Sequence, residues 1–176
     1  MKTVAALLFT LVATLPLSSE ELPKLHPNLE PLRPFLGKTW RGDLAQPGAD
    51  RVNVDVARWE RILNGQAIRI LHSVDDGNYG GETIIRWDET RKAITYYYFT
   101  TAGFMTSGTM TVEKGKYTSF EKVSPPAEGV TEVKGTGEVK DDGTMVTTSE
   151  YLKNGRWIPG HGATYREAPD AKVIFK

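Results

Sequence analysis

Hydrophobic and polar side chains alternate along most of the chain from Thr39 onward, and clusters of turn-forming residues interrupt this alternation at regular intervals. Alternation with a period of two residues is typical of β-strands that bury one face. Counting the segments between the turns predicts about ten strands. No segment is long enough for a crossover helix, so consecutive strands are expected to pair as antiparallel neighbours. The predicted turns are Gly48-Ala49-Asp50, Asn64-Gly65, Asp75-Asp76-Gly77, Glu89-Thr90-Arg91, Ala102-Gly103, Lys114-Gly115, Pro125-Pro126, Asp141-Asp142-Gly143 and Asn154-Gly155.

An up-and-down sheet of this size is expected to close on itself, because closure removes its two unpaired edges. The sequence therefore predicts one all-β domain over residues 39–176, a single antiparallel up-and-down β-barrel of about ten strands. Such a barrel should enclose space, since the diameter grows with the number of strands. A sandwich of two β-sheets is the alternative architecture.

Residues 20–38 form a proline-rich lead to the barrel. The spacing of its apolar residues predicts a short helix or a pair of turns with one apolar side, which would close one end of the barrel. These apolar residues are Leu29, Leu32, Phe35 and Leu36.

The first residues have the pattern of a secretory signal. Lys2 precedes an apolar run from Val4 to Leu17, and the chain turns polar at Ser18. This pattern predicts a signal peptide over residues 1–19 and an exported protein, periplasmic or secreted, although a buried N-terminal helix would give the same run. The run is shorter than the roughly 20 apolar residues that cross a bilayer, so no membrane insertion is expected.

Composition narrows the classes of function. The chain has 22 Lys and Arg against 22 Asp and Glu, which gives no reason to expect binding to nucleic acid or to anionic lipid. It has no Cys, so the exported barrel must fold without disulfides. The sequence also lacks a Gly-x-Ser-x-Gly elbow, a His-Glu-x-x-His motif and a glycine-rich phosphate loop. Its three His residues share no metal-ligand spacing, so no metal site is predicted.

Asn64-Gly65 predicts a tight hairpin whose register follows by counting outward from the turn. Glu60 and Arg69 form an opposed ion pair, which belongs in water, so the other face is expected to line the interior. His72 would then point inward beside Trp59. We consider three roles for His72: a core histidine bonded to a neighbour, a ligand contact, or an acid–base catalyst. The predicted pairs are Arg61–Ile68, Trp59–Ile70, Ala57–His72 and Glu60–Arg69.

Asn154-Gly155 predicts the second hairpin in the same way. It places His161 opposite Thr148, on one face with Leu152 and Trp157. Pro159 cannot donate to the strand ladder and glycines flank it, which favours a β-bulge beside His161 and leaves the register beyond Pro159 open to a shift of one residue. His161 is therefore either a site residue or an ordinary exposed histidine.

The run Tyr96, Tyr97, Tyr98 and Phe99 alternates across the sheet, so one pair must face inward and supply an aromatic wall. The sequence leaves the inward pair open, and we include Tyr97 and Phe99 among the candidate ligand residues. Arg86 is a further candidate, because an inward Arg would anchor a carboxylate.

The segment Leu32 to Gly42, LRPFLGKTWRG, resembles the short helix and Gly-x-x-Trp first strand of calycin-like barrels, particularly the nitrobindin and fatty-acid-binding branch and its uncharacterised bacterial relatives. The resemblance implies a lipocalin-like barrel that binds a small apolar ligand. In nitrobindins a His of the last strand binds haem iron, and His161-Gly162-Ala163 is similar to that position. The resemblance also implies that Arg166 stacks on Trp40.

Our leading hypothesis is an exported barrel that binds a small, mostly apolar ligand in its internal cavity; the expected partner is a small apolar or partly polar molecule. One alternative is an isomerase, cyclase or lyase in which His72 transfers a proton. Two others are haem binding through His161, the only cofactor considered, and a barrel filled by its own side chains. The candidate ligand residues are Trp59, His72, Arg86, Tyr97, Phe99 and His161.

Overall fold

Ten antiparallel strands pair in chain order in the computed structural model, and the last strand pairs with the first to close a barrel. The structure describes residues 23–45, 47–48, 51–113 and 115–176, and the predicted signal peptide lies outside them. The predicted all-β barrel with a short N-terminal helix is confirmed, and the sandwich alternative is wrong. The strands are β1 Thr39–Ala45, β2 Asn53–Ile62, β3 Ala67–Val74, β4 Tyr79–Asp88, β5 Ala93–Thr100, β6 Met105–Glu113, β7 Lys116–Ala127, β8 Val130–Val139, β9 Met145–Lys153 and β10 Arg156–Glu167.

The first hairpin, β2 to β3, has the register that the sequence predicts. Trp59 pairs with Ile70 and Ala57 with His72. Asn64 and Gly65 both have positive φ, 53° and 87°, a conformation that Asn and Gly adopt at least cost. On the outer face, the Arg69 Nε donates to Glu60 at 2.9 Å.

The second hairpin, β9 to β10, follows the predicted register only as far as Pro159. Beyond it the pairing shifts, and Gly162 rather than His161 lies opposite Thr148. The predicted pairing of His161 with Thr148 is therefore wrong. A bulge at Pro159, which has no N–H to donate, adds one residue to β10 and exchanges its two faces. His161 thus lies on the inner face, while Trp157 stays outside.

The predicted turn at Pro125-Pro126 is also wrong. Both prolines lie within β7, where its pairing with β8 is interrupted between Lys122 and Ala127. The reversal instead uses Glu128 and Gly129, whose φ angles are 50° and 82°. Proline is tolerated there because an interrupted ladder does not require its missing N–H.

A 3₁₀ helix over Pro27–Phe35 closes one end of the barrel. Its Leu29, Leu32 and Phe35 are fully buried. The Phe35 ring stacks on Trp59 with 4.8 Å between the ring centroids, and the Trp40 Nε1–H donates to the Phe35 carbonyl at 3.1 Å. The helix is therefore part of the core. Among the described residues, no helix is both long and apolar enough to cross a bilayer.

Trp40 has a different cation partner from the one that the resemblance implies. The Lys38 Nζ lies 5.1 Å from the centroid of the Trp40 ring. Arg166 is exposed and pairs with Arg41 on the outer face, because the β1–β10 register places Glu167 opposite Trp40.

The barrel interior has two unlike halves. Buried apolar side chains fill the half next to the helix. The other half, at the opposite ends of the strands, is lined mainly by polar groups. The buried cluster comprises Leu25, Leu29, Leu32, Phe35, Trp40, Trp59, Ile68, Ile85, Ile94, Tyr96, Met110, Met145, Ala163 and Tyr165.

Phe35→Ala should lower the free energy of unfolding by about 3–5 kcal/mol, because it leaves a cavity between the helix and Trp59. Phe120→Ala is the control: Phe120 lies on the outer wall with 39% of its surface exposed. Its loss should cost less than about 1 kcal/mol. Urea denaturation of both variants measures the difference, and equal losses would contradict a helix that is integral to the core.

Candidate functional site

The polar half of the interior gathers hydrogen-bonding side chains from eight strands. Each lies on the inner face by the register of the barrel, at the strand end far from the helix. His161 is exposed although it faces inward, so this half is open to solvent. The group comprises Asp55, His72, Tyr79, Tyr98, Thr106, Glu121, Ser149, Tyr151 and His161.

Four of these side chains form a continuous chain of hydrogen bonds. The His72 Nδ1 lies 2.9 Å from Asp55 Oδ1, and its Nε2 lies 2.7 Å from the Tyr98 hydroxyl. The Tyr98 and Tyr79 hydroxyls are 2.7 Å apart. Tyr165 donates to the second oxygen of Asp55 at 2.7 Å. Asp55 is thus held on both oxygens, and it orients the His72 ring.

This arrangement fixes which nitrogen of His72 takes part in further chemistry. Because the carboxylate of Asp55 accepts from Nδ1–H, the Nε2 atom faces Tyr98. Neutral His72 accepts a hydrogen bond from Tyr98, and protonated His72 donates one. Burial raises the pKa of Tyr98 well above its ordinary value, which keeps the hydroxyl protonated. The proton state of His72 therefore sets the direction of the Tyr98–Tyr79 hydrogen bond.

Glu121 lies on the wall formed by β5, β6 and β7. Gly108 stands between Tyr96 and Glu121 in the register, so no side chain separates the two. The Thr106 hydroxyl donates to Glu121 Oε2. Burial raises the pKa of the Glu121 carboxyl, and the hydroxyls of Thr106 and Tyr96 oppose part of that effect. The Tyr96 hydroxyl is buried close to Ser119 and Glu121, but it forms no hydrogen bond of normal distance and angle within the described part of the chain.

His161 faces this group from β10. The Tyr151 hydroxyl bonds to its Nδ1, and the Ser149 hydroxyl donates to its carbonyl at 2.7 Å. Desolvation by the surrounding barrel lowers the pKa of the His161 imidazole; the Asp55 carboxylate opposes this shift and His72 adds to it. The ring is therefore a neutral base with Nε2 as its unengaged nitrogen.

The fit to haem is partial. His161 offers Nε2 as an iron ligand. The hydrogen bond from Tyr151 to its other ring nitrogen orients the imidazole, as is usual for histidines that bind metals. A porphyrin also needs apolar walls, however, and the apolar half of the interior is filled by buried side chains. In the described residues the wall around His161 is polar. His161 is therefore suited to bind iron, but the polar wall around it is not suited to hold the porphyrin ring.

The predicted site residues fall into three places. His72 and His161 line the polar half, and Trp59 belongs to the apolar core. Arg86 is exposed on the outer face, where its Nε donates to the Trp87 carbonyl at 3.2 Å. Tyr97 and Phe99 also lie outside, with 44% and 51% of their surfaces exposed.

The inward pair of the aromatic run is Tyr96 and Tyr98, because β5 pairs Tyr96 with the buried Ile85. Placing Arg86, Tyr97 and Phe99 at the ligand site is therefore incorrect.

Several polar side chains of the interior were not predicted from the sequence. Counting back from Ala57 in the first hairpin would have placed Asp55 on the inner face with His72. Glu121 and Tyr151 carry no local signal, because their inward direction depends on closure of the whole sheet.

The fold has a counterpart among solved structures. The crystal structure of Rv2717c from M. tuberculosis has a TM-score of 0.62 to this chain at 14% sequence identity, and the match covers 82% of this chain and 99% of that one. At this identity the similarity shows the barrel fold alone. No family model and no curated protein matches the sequence. Membership of the calycins remains a prediction.

Asp55→Ala should lower the free energy of unfolding by about 2–4 kcal/mol, because it leaves the Tyr165 hydroxyl and His72 without their acceptor. Tyr165→Phe removes only the hydrogen bond from Tyr165 to Asp55 and leaves the Asp55 carboxylate in place. It should lower the free energy of unfolding by about 1 kcal/mol. Urea denaturation compares the two. A loss in Asp55→Ala no greater than in Tyr165→Phe would mean that the His72 bond contributes little.

Glu121 should make stability depend on pH. Its carboxyl pKa is raised above the ordinary value of 4.5, so the folded protein keeps this proton where the unfolded chain has released it. Stability from this group therefore falls as pH rises from 4.5 through the folded pKa. Glu121→Gln cannot ionise, so its stability relative to the wild type should increase over that range.

Urea unfolding at several pH values measures this difference, and Glu150→Gln is the matched control. Glu150 is exposed on the outer face of β9. The difference between Glu150→Gln and the wild type should not rise in the same way. A constant difference for Glu121→Gln across the range would show that burial does not perturb this carboxyl.

Proposed function

We propose that this protein binds a small, partly polar molecule in the polar half of its barrel, between the walls that carry His72, Glu121 and His161. The observation that carries the proposal is the convergence of hydrogen-bonding side chains on the polar half, where the buried Tyr96 hydroxyl lies beside Glu121 and forms no hydrogen bond of normal geometry within the described residues. An unpaired buried hydroxyl costs free energy, and a bound molecule that supplies the partner removes that cost.

The apolar half supports a polar rather than a mostly apolar ligand. Phe35, Trp40 and Trp59 fill the interior next to the helix, and all three are buried. An apolar guest would have to displace them or lie against hydroxyls and carboxylates, which lose hydrogen bonds to water in the process. A guest that carries its own hydrogen-bonding groups incurs no such loss.

A purely structural role for the barrel explains its polar interior less well than ligand binding does. A wall selected only for stability would carry apolar side chains, since each buried polar group needs a satisfied partner to be neutral. This interior instead holds two carboxyl groups and two imidazoles.

Acid–base catalysis on a bound molecule is the second candidate function. It is favoured by the Asp55–His72 pair, in which the carboxylate orients the imidazole as in many proton-transfer sites. Tyr79 is the last residue in the series of hydrogen bonds that runs from Asp55 through His72 and Tyr98. Its hydroxyl is therefore the group that would reach a substrate. Proton transfer of the isomerase, cyclase or lyase type needs no further residue.

We also propose that the protein is exported, on the basis of the apolar run from Val4 to Leu17. Cleavage after Ser19 would leave Glu20 as the first residue. Intact-mass measurement of the protein recovered from its producing cell reads the terminus directly.

Native mass spectrometry tests ligand binding. A discrete excess mass that denaturation releases is expected for the wild type and should be reduced in His72→Ala. Arg86→Ala, which changes a charge on the outer face, is the control and should retain the excess. The wild-type protein should also show ligand-dependent shifts of its inner tyrosine signals in NMR titrations with small hydrogen-bonding compounds. A protein that is bare and gives no such shifts would contradict the proposal.

Haem addition tests the remaining prediction for His161. If the porphyrin binds through this residue, a Soret band appears in the wild type and in His72→Ala and is lost in His161→Ala. The polar wall leads us to expect no such band in any of the three.

A further inference from the structure

Glu121 is the inner carboxylate without a positive partner. Asp55 is bonded to His72 and to Tyr165. Glu121 receives one hydroxyl hydrogen bond, from Thr106, and forms no ion pair with any Lys, Arg or His of the described residues. A carboxylate inside a protein is usually paired, because an unpaired charge loses its hydration without compensation.

The positive side chains nearest to the interior lie at its two ends. Arg61 faces inward beside the helix, where its guanidinium donates to the Lys24 carbonyl. Lys153 is the last residue of β9, next to the turn into β10. Neither lies within ion-pair distance of Glu121.

Five inner tyrosines lie within electrostatic reach of Glu121. Burial raises the pKa of five inner tyrosines, and the Glu121 carboxylate raises each of them further, so its charge reaches all five. These tyrosines are Tyr79, Tyr96, Tyr98, Tyr117 and Tyr151. The faces of aromatic rings attract cations, and a carboxylate among several rings is a suitable environment for an organic ammonium ion.

The Tyr96 hydroxyl lies beside Glu121 and is a second polar group at this position. Only 5% of Tyr96 is exposed, and Gly108 lies between Tyr96 and Glu121 in the strand register, so no side chain separates them. A group bound against Glu121 would therefore lie within reach of this hydroxyl. Tyr96 can accept a hydrogen bond from an N–H donor through its oxygen.

We propose that the molecule bound in the polar half is an organic cation, an alkyl- or arylalkylammonium ion whose charge lies against Glu121 and the surrounding tyrosine rings. The inference rests on the proposed function and specifies its ligand class. Asp55 contributes less, since Tyr165 and His72 already occupy both of its oxygens.

Three probes of one shape and different charge test this inference on the full chain. They are 2-phenylethylammonium, its neutral counterpart 2-phenylethanol and the anion phenylacetate, titrated by isothermal calorimetry at one neutral pH. The ammonium ion should bind at least about tenfold more tightly than the alcohol, because a charged hydrogen bond contributes more than a neutral one. Phenylacetate should bind most weakly.

Glu121→Gln assigns the preference to this carboxylate. It should reduce the ratio of ammonium to alcohol affinity to about one, a loss of about tenfold. Glu150→Gln removes an outer carboxylate and should leave the ratio unchanged. Because the ratio is taken within one variant, general weakening of the barrel does not affect it. Thermal unfolding establishes that both variants fold, and if Glu121→Gln does not, the wild-type comparison of the three probes still decides.

The outcomes separate this inference from the proposed function. Equal or tighter binding of the alcohol or of phenylacetate overturns the cation inference and leaves a small-molecule site in place. A preference for ammonium that survives in Glu121→Gln overturns the role of Glu121. If none of the three probes binds and native mass spectrometry also finds a bare protein, both proposals fail.

Discussion

Pairing of β1 with β10 is the interaction on which the remaining structure depends, because it gives every strand two neighbours and divides all side chains into inner and outer sets. The inner positions at one end are filled by the proline-rich helix with Phe35. No comparable plug is present among the described residues at the other end. The polar groups can therefore remain in contact with water there, which makes an interior lined by carboxylates and imidazoles tolerable.

Tyrosine and glycine pack against each other along the inner wall. Four inner tyrosines lie against a glycine of a neighbouring strand, where any side chain would collide with the ring. The pairs are Tyr165 with Gly42, Tyr98 with Gly81, Tyr117 with Gly137 and Tyr151 with Gly160. The glycines thus let the rings lie against the wall, and the wall presents hydroxyl groups that a partly polar guest needs as hydrogen-bonding partners.

Local turn chemistry explains how much could be predicted from the sequence. Asn64-Gly65 determined the first hairpin, so the inward direction of His72 followed from counting and was correct. The bulge at Pro159 reversed the faces of β10; the sequence indicated its place and left the register beyond it open, but it could not decide which face His161 occupies. The aromatic run from Tyr96 had no such turn nearby to set its phase. Its inward residues depend on the pairing of β5 with β4 and on closure, which are tertiary properties.

The two inner carboxylates have different roles because their surroundings differ. Both oxygens of Asp55 are hydrogen-bonded, so this carboxylate holds His72 and Tyr165 in place. Glu121 has only the Thr106 hydroxyl, and burial raises its carboxyl pKa. Glu121 can therefore accept a positive partner without losing an existing ion pair, whereas Asp55 would first have to break two bonds. Asp55 therefore has a structural role, and Glu121 is the carboxylate that remains for recognition of a ligand.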